Sequence, residues 1–153
     1  MKNSLIQTVS TVALLLGVSS GAHAADSDDI EALLKGYESV LNASDVDGIL
    51  ELYTEDGVFM APNNPSAVGI QQVEAAYTGV FQAIDLNVVF DIVEIEVISE
   101  NWAFARSNSS GTITINATGD NVAEGNQELF VLQKIDGDWK IARYGFSSTN
   151  PPR

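Results

Sequence analysis

The side chains of this chain that could do chemistry are tyrosines, carboxylates and arginines. The only histidine is His23, and cysteine is absent. A Ser-His-Asp triad needs an imidazole, a thiol nucleophile needs cysteine, and a structural zinc site uses His or Cys ligands. Because His23 lies in an N-terminal segment that we expect to be removed, the mature protein would lack all three kinds of site. It can form no disulfide.

Glu128 and Arg143 are predicted to share one face of a β-hairpin. Asp136-Gly137 is a strong signal for a two-residue turn between two strands. If buried there, Arg143 would hold the Glu128 carboxylate ionised, which would make it a poor neutral hydrogen-bond donor. Pairing across the turn sets these residues opposite each other: Leu132 and Ile141, Phe130 and Arg143, Glu128 and Gly145.

Arg106 is the second candidate cation. Side chains at alternate positions of a strand share a face, and one face of the preceding strand carries Trp102, Phe104, Arg106 and Asn108. A guanidinium group there would meet an anionic or carbonyl group of a ligand. The alternatives for Arg106 and Arg143 are a structural ion pair with Glu128 and a rim position in which the aliphatic stem covers apolar neighbours.

Tyr37 lies on the apolar face of a predicted amphipathic helix that begins near Asp26. Ser44 is a predicted N-cap of a second, shorter helix, and a third helix follows Gly69. A tyrosine in this position contacts a ligand or is a core residue whose hydroxyl reaches one partner. The apolar residues of the first helix recur at helical spacing, at Ile30, Leu33, Leu34, Tyr37, Val40 and Leu41.

Strands dominate the rest of the chain. Val58 to Met60 is a brief strand that ends in the turn Pro62 to Pro65. After the third helix the apolar period changes to two and slips near Ile92, which predicts a β-bulge. Further strands are predicted over 102–115, 125–135 and 139–146. Three helices followed by an antiparallel meander predict an α+β fold, in which a curved sheet wraps the helices and encloses a pocket.

The N-terminal segment has the pattern of a signal peptide. Lys2 precedes an apolar run, and Ala22-His23-Ala24 is the small-x-small pattern that signal peptidase cleaves. The run is well short of the roughly 20 residues that span a bilayer. We expect a signal peptide over residues 1–24 with cleavage after Ala24, one domain over 25–149, and a disordered tail over 150–153. A cysteine-free exported protein fits a periplasmic or secreted location.

The chain is acidic, with 7 basic residues, 21 acidic residues and a formal net charge of −14. This charge repels nucleic acid and anionic lipid, so we expect neither a nucleic-acid partner nor membrane attachment after cleavage. A solvated acidic surface explains the charge better than a patch for a cationic partner. Asp136-Gly137-Asp138 lacks the longer ligand series of a calcium loop, and no metal site is predicted.

The order of elements and several local patterns resemble a known family. Tyr37 lies eight residues before DVDGI (45–49), which is followed by LYTEDGVF (52–59) and, near the end, GDWKIARYGF (137–146). Together they resemble the ketosteroid isomerase and SnoaL-like branch of the nuclear transport factor 2-like superfamily, and most of all its exported SnoaL-like members. The resemblance implies a cystatin-like cone, with three N-terminal helices packed on a curved, mainly antiparallel sheet.

The resemblance also implies where a reaction would take place. Isomerase members use an aspartate base with an oxyanion hole of a tyrosine and a protonated acid. Tyr37 matches the tyrosine and Glu128 matches the acid, whereas the base position holds Ala61, which cannot transfer a proton. Steroid-type isomerisation is therefore not expected. The residues predicted to line the pocket are Tyr53, Phe59, Trp102, Phe104, Arg106, Phe130 and Arg143.

Two classes of function are consistent with these patterns. In the first, a homodimer packed through its sheets binds a small apolar or aromatic molecule in the cone. It does so as a binding protein or as a cofactor-independent isomerase, cyclase, dehydratase or hydrolase, with Tyr37 as hydrogen-bond donor and Glu128 as proton acceptor. In the second, the domain is a non-catalytic oligomerisation or interaction module, and its own side chains fill the pocket.

Overall fold

The computed structural model describes residues 19–150, with side chains from residue 23 onwards. Most of the predicted signal peptide and the end of the predicted tail lie outside the described residues, and α1 continues through the predicted cleavage site. None of the described helices is both long and apolar enough to cross a membrane. The described elements are α1 (Ser19–Asn42), α2 (Val46–Leu52), β1 (Tyr53–Met60), β2 (Ala67–Val68), α3 (Ile70–Ala83), β3 (Ile84–Ser99), β4 (Trp102–Ile115), β5 (Asp120–Ile135) and β6 (Asp138–Ser148).

The six described strands form one open, mixed sheet with the order β2-β1-β6-β5-β4-β3. β1 and β6 are parallel, and all the other neighbours are antiparallel. The three helices pack on one face of this sheet, which confirms the predicted α+β class with a mainly antiparallel sheet. β1 begins at Tyr53, five residues earlier than predicted, because its first residue already pairs with Ile141 of β6.

Local sequence patterns account for the last turn, the bulge in β3 and the start of α2. Asp136 and Gly137 both have positive φ, 52° and 97°, and they connect β5 to β6 as predicted. The register of β3 against β4 shifts between Ile92 and Glu94, which confirms the predicted bulge. The N-cap of α2 is Asp45 and not Ser44, since the Asp45 carboxylate accepts a hydrogen bond from the backbone N–H of Gly48.

A second bulge, in β6, was not predicted. Leu132 pairs with Ile141 as expected, but Val131 then pairs with Arg143, so that Ala142 is an extra residue. From there the register moves by one, and the predicted pairs Phe130 with Arg143 and Glu128 with Gly145 are wrong. Regular pairing would have turned Arg143 towards the core. The observed partners are Tyr144 for Phe130 and Phe146 for Glu128.

The core between the sheet and the helices is rich in aromatic rings. The Tyr37 ring lies 5.7 Å from that of Phe130 and 5.4 Å from that of Tyr144, and the Phe130 and Tyr144 rings stack at 4.4 Å. Neighbouring β4 presents the small, fully buried Ala103 and Ala105 to the same side of the sheet. Small residues on this strand leave room for the rings that its neighbours and α1 contribute.

Candidate functional site

A cavity of about 140 Å³ lies between the inner face of the sheet and the helices. Its deep end is formed by buried residues, among them Tyr37, Tyr77 and Glu128, and its outer end by the half-buried Leu86 and Ile113. An apolar cavity of about 150 Å³ is known to hold a benzene molecule, so this space suits one ring. The lining residues are Tyr37, Leu41, Phe59, Ala61, Tyr77, Val80, Ile84, Leu86, Val88, Phe90, Ser109, Ile113, Glu124, Asn126, Glu128, Tyr144 and Phe146.

Three tyrosine hydroxyls form a connected row at the deep end. The Tyr37 hydroxyl lies 2.7 Å from that of Tyr77, which lies 2.9 Å from that of Tyr53. Burial raises the pKa of each of these phenols well above the ordinary value of 10.0. All three therefore remain protonated at any physiological pH, and the row can share hydrogen bonds but cannot act as a base.

Glu128 is buried on the same side of the sheet and has hydroxyl partners. The Ser107 hydroxyl donates a hydrogen bond to Glu128 Oε2 at 2.6 Å. Burial raises the pKa of Glu128 above its usual value of 4.5, although hydrogen bonds from Ser107, Ser109 and Tyr144 oppose the rise. The protonated form thus persists to a higher pH than in an exposed glutamate. Glu128 can then donate a hydrogen bond, contrary to the role predicted from pairing with Arg143.

Both candidate arginines lie on the outer face of the sheet, away from the cavity. Arg106 forms an ion pair with Glu94, its cross-strand neighbour. Arg143 lies 3.5 Å from the Asp56 carboxylate and donates to the Asp56 backbone carbonyl. Their predicted place in the pocket is wrong, and so is the predicted ion pair of Glu128 with Arg143. Arg143 lies on the outer face because of the β6 bulge, which turns Arg143 outwards and its neighbour Tyr144 inwards.

The inner and outer faces of β4 are the reverse of the prediction. Trp102 is 41% exposed and Phe104 is half-buried on the outer face, together with Arg106. The inner face presents Ala103, Ala105, Ser107 and Ser109, as the rings of neighbouring elements already fill the space above this strand. Trp102 and Phe104 therefore do not line the cavity, although they were predicted to.

Of the other predicted pocket residues, one lines the cavity and two lie behind its wall. Phe59 lines the cavity, and its ring stacks on that of Tyr77 at 4.6 Å. Tyr53 and Phe130 are buried but lie behind the lining residues, where they contact Tyr77 and Tyr144. Several residues that line the cavity were not predicted from the sequence, among them Tyr77, Phe90, Ser109, Asn126, Tyr144 and Phe146.

The electrostatics of the lining favour neutral ligands. No lysine or arginine is among the lining residues, which include two acidic side chains, Glu124 and Glu128. A carboxylate or phosphate of a ligand would be buried without a counter-charge, which is strongly unfavourable. The predicted recognition of an anionic group by arginine therefore has no support in this cavity.

Glu128→Gln is expected to change how stability depends on pH. Because burial favours the neutral form, the folded protein holds this proton more tightly than the unfolded chain does. The free energy of unfolding should therefore fall as the pH rises from about the unfolded value of 4.5 through the raised folded value, and then level off. The Gln variant lacks this fall, and urea unfolding at a series of pH values would measure the difference.

Glu31→Gln is the matched control, since Glu31 is an exposed glutamate on α1. Its pH profile should follow that of the unaltered protein. The stability profiles of the Glu128→Gln variant and the unaltered protein could instead run parallel above pH 4.5. This result would show that burial does not destabilise the charged form of Glu128.

Comparison with known proteins places the chain among structurally similar domains. The SnoaL-like domain family matches residues 33–144. A ketosteroid isomerase-like protein from Erwinia carotovora atroseptica SCRI1043 is 38% identical and superposes with a TM-score of 0.79, covering 81% of this chain and 96% of that one. No protein of curated function shows significant similarity to the chain.

More distant structures share the fold. An NTF-2 like protein of unknown function from Shewanella oneidensis MR-1 is 25% identical, with a TM-score of 0.63 over 80% of this chain and 98% of that one. An NTF2-like protein with a cystatin-like fold from Novosphingobium aromaticivorans is 14% identical, with a TM-score of 0.67 over 88% of each chain. With the family match over most of the domain, these likenesses show that the chain belongs to the SnoaL-like family, in the NTF2-like and ketosteroid isomerase-like group of cystatin-like folds.

Proposed function

We propose that this SnoaL-like domain, in an exported protein, binds a small neutral molecule of about one ring in its cavity. The observation that carries the proposal is the cavity itself, whose walls are mostly aromatic and aliphatic and whose deep end holds buried hydroxyl and carboxyl groups. Apolar pockets with a few convergent polar groups are the usual form of small-molecule sites. Apolar walls supply affinity, and the polar groups fix orientation.

The aromatic walls favour a flat ring. Phe59 stacks on Tyr77 at 4.6 Å and on Tyr144 at 5.6 Å, and the faces and edges of these rings border the cavity. Offset and edge-on contacts between aromatic rings contribute about 0.5–1.5 kcal/mol each beyond the burial of apolar area. A one-ring aromatic ligand would gain several such contacts, which a branched aliphatic ligand of equal volume would not.

Toluene is a suitable probe, because it has the right size and carries no charge. We expect it to bind the unaltered protein in a calorimetric or NMR titration, and to shift resonances of residues that line the cavity. Leu86→Trp should weaken this binding at least about tenfold, since Leu86 lines the half-buried outer end and an indole there would occupy the space of the ligand.

Val89→Trp provides the matched control. Val89 is on the same strand as Leu86, but its side chain is 61% exposed on the opposite face. This variant should bind toluene as the unaltered protein does. Equal affinity of the Leu86→Trp and Val89→Trp variants, both folded, would mean that toluene binds elsewhere, and the proposal would be abandoned.

A catalytic role has one specific observation in its favour, the buried carboxyl of Glu128. A carboxylic acid with a raised pKa can protonate a leaving hydroxyl or a developing oxyanion, as a cofactor-independent dehydratase or isomerase requires. The cavity offers Ala61 where isomerase relatives would have their base. We therefore propose ligand binding as the primary function, with Tyr37 and Glu128 as the groups that would assist proton transfer.

We further propose that the protein is a homodimer that packs through the outer face of the sheet. That face exposes large apolar side chains, among them Met60 (41%), Trp102 (41%) and Leu129 (48%). Burying such a patch against a second copy would be favourable. Leu129→Glu should shift the mass measured by light scattering from dimer to monomer, whereas Val68→Glu, at the edge of the sheet, should not. A monomeric unaltered protein would exclude the dimer.

A further inference from the structure

Ser109, Asn126 and Glu128 lie at one side of the cavity, and most of their hydrogen-bonding atoms have partners within the protein. The Ser107 hydroxyl donates a hydrogen bond to Glu128 Oε2 at 2.6 Å. Both amide hydrogens of Asn126 are also used, since Nδ2 donates to Glu124 Oε1 at 2.9 Å and to Ser109 Oγ at 3.4 Å. The donors of Ser107 and Asn126 are therefore already engaged with partners of the protein.

One acceptor remains. Asn126 lines the cavity and is only 8% exposed, and its Oδ1 atom is buried without a hydrogen-bond partner among the described residues. The contact with the Glu124 carboxylate fixes which end of the amide is Nδ2, because a carboxylate can only accept. The orphaned group is thus the oxygen. Buried polar atoms of folded proteins are nearly always paired, so an unpaired one calls for an explanation.

We propose that the Asn126 acceptor selects a ligand that carries an O–H or N–H donor, so that the ligand is a neutral hydroxylated ring of the size of phenol. This inference rests on the proposed function and names the ligand class for the same cavity. A hydroxyl satisfies the free oxygen of Asn126, while the ring fills the apolar remainder. An anionic ring is excluded, since Glu124 and Glu128 line the cavity and no cation does.

The affinity ratio of phenol to toluene tests the proposal, measured by titration of the full chain. Phenol and toluene fill the apolar part of the site in the same way. Their affinity ratio therefore cancels any effect of a substitution on that part. Asn126→Leu deletes the acceptor at similar volume, and the ratio should fall about three- to tenfold, as is typical for the loss of one neutral hydrogen bond. Gln127→Leu, an exposed neighbour on the opposite face, should leave the ratio unchanged. Benzoate should not bind detectably.

A second variant separates the acceptor from general effects on packing. Asn126→Asp combined with Glu124→Gln keeps an acceptor oxygen at the same place, because the Gln amide can donate to the new carboxylate across the 2.9 Å contact. This double variant should keep the phenol to toluene ratio at no less than about half of the unaltered value. A ratio that is unchanged in Asn126→Leu, or that falls equally in Asn126→Leu and in the Asn126→Asp, Glu124→Gln double variant, would overturn the assignment of Asn126. If toluene still binds in that case, the proposed function stands without it. Binding of neither phenol nor toluene to the unaltered protein would overturn both.

Discussion

Ala61→Asp is expected to raise the rate at which the cavity catalyses a proton transfer. The substrate would be a one-ring β,γ-unsaturated ketone, and the product its conjugated isomer, which absorbs in the ultraviolet. By the family resemblance, position 61 is that of the isomerase base, and Ala61 lines the cavity together with Tyr37 and Glu128. A positioned general base typically contributes 10²–10⁴-fold, so the initial rate should rise at least about 100-fold.

Ala61→Asn is the control, because it has the shape of the aspartate but cannot accept the proton. It should show no gain in rate. Adding Tyr37→Phe or Glu128→Leu to Ala61→Asp should remove most of the gain, if these groups stabilise the enolate oxygen, because neither phenylalanine nor leucine can donate a hydrogen bond there. A folded Ala61→Asp variant with no gain would show that the donors and position 61 do not converge on one substrate.

Of the substitutions proposed for this protein, Phe130→Ala is expected to lower the free energy of unfolding the most. Phe130 is fully buried, stacks on Tyr144 at 4.4 Å and contacts the rings of Tyr37 and Phe90. Removing a buried phenyl group costs about 3–5 kcal/mol, which is a large share of the roughly 5–15 kcal/mol that stabilises a typical domain. Chemical denaturation followed by tryptophan fluorescence would measure the difference in unfolding free energy.

Leu129→Ala is the matched control on the adjacent residue. Its side chain is 48% exposed on the opposite face of β5, so at a concentration where the protein is monomeric the loss should stay within about 0.5 kcal/mol. A loss for Leu129→Ala that equals the loss for Phe130→Ala would contradict the assignment of inner and outer faces on this strand.

The sequence predicted the three helices and the four long strands β3 to β6, because their signals are local. Helical spacing marked α1 and α3, the phase slip near Ile92 marked the β3 bulge, and Asp136-Gly137 marked the last turn. Tyr37 and Glu128 could also be placed, since one lies on a clear apolar helical face and the other alternates with Phe130 and Leu132. These are the parts of the site whose position depends on short-range patterns.

The remaining side chains depend on contacts between distant parts of the chain. The β6 bulge at Ala142 reverses Arg143 and Tyr144, and the only local signal for it was that Tyr144 and Phe146 share a phase with each other but not with Ile141. In β4 the large residues, Trp102 and Phe104, face outwards. Their inward neighbours must be small, because rings from α1, β3 and β5 occupy that space, and no pattern within β4 reveals this.

A crystal structure of the protein soaked with bromobenzene tests the central claim most directly. The bromine atom can be located by anomalous scattering, and its ring has about the size of the cavity between Tyr37, Phe59 and Glu128. We predict one strong anomalous peak inside that cavity, with the ring in contact with Phe59 or Tyr77. A cavity that remains without the probe at saturation, with bromine found only on the outer face of the sheet, would contradict ligand binding at this site.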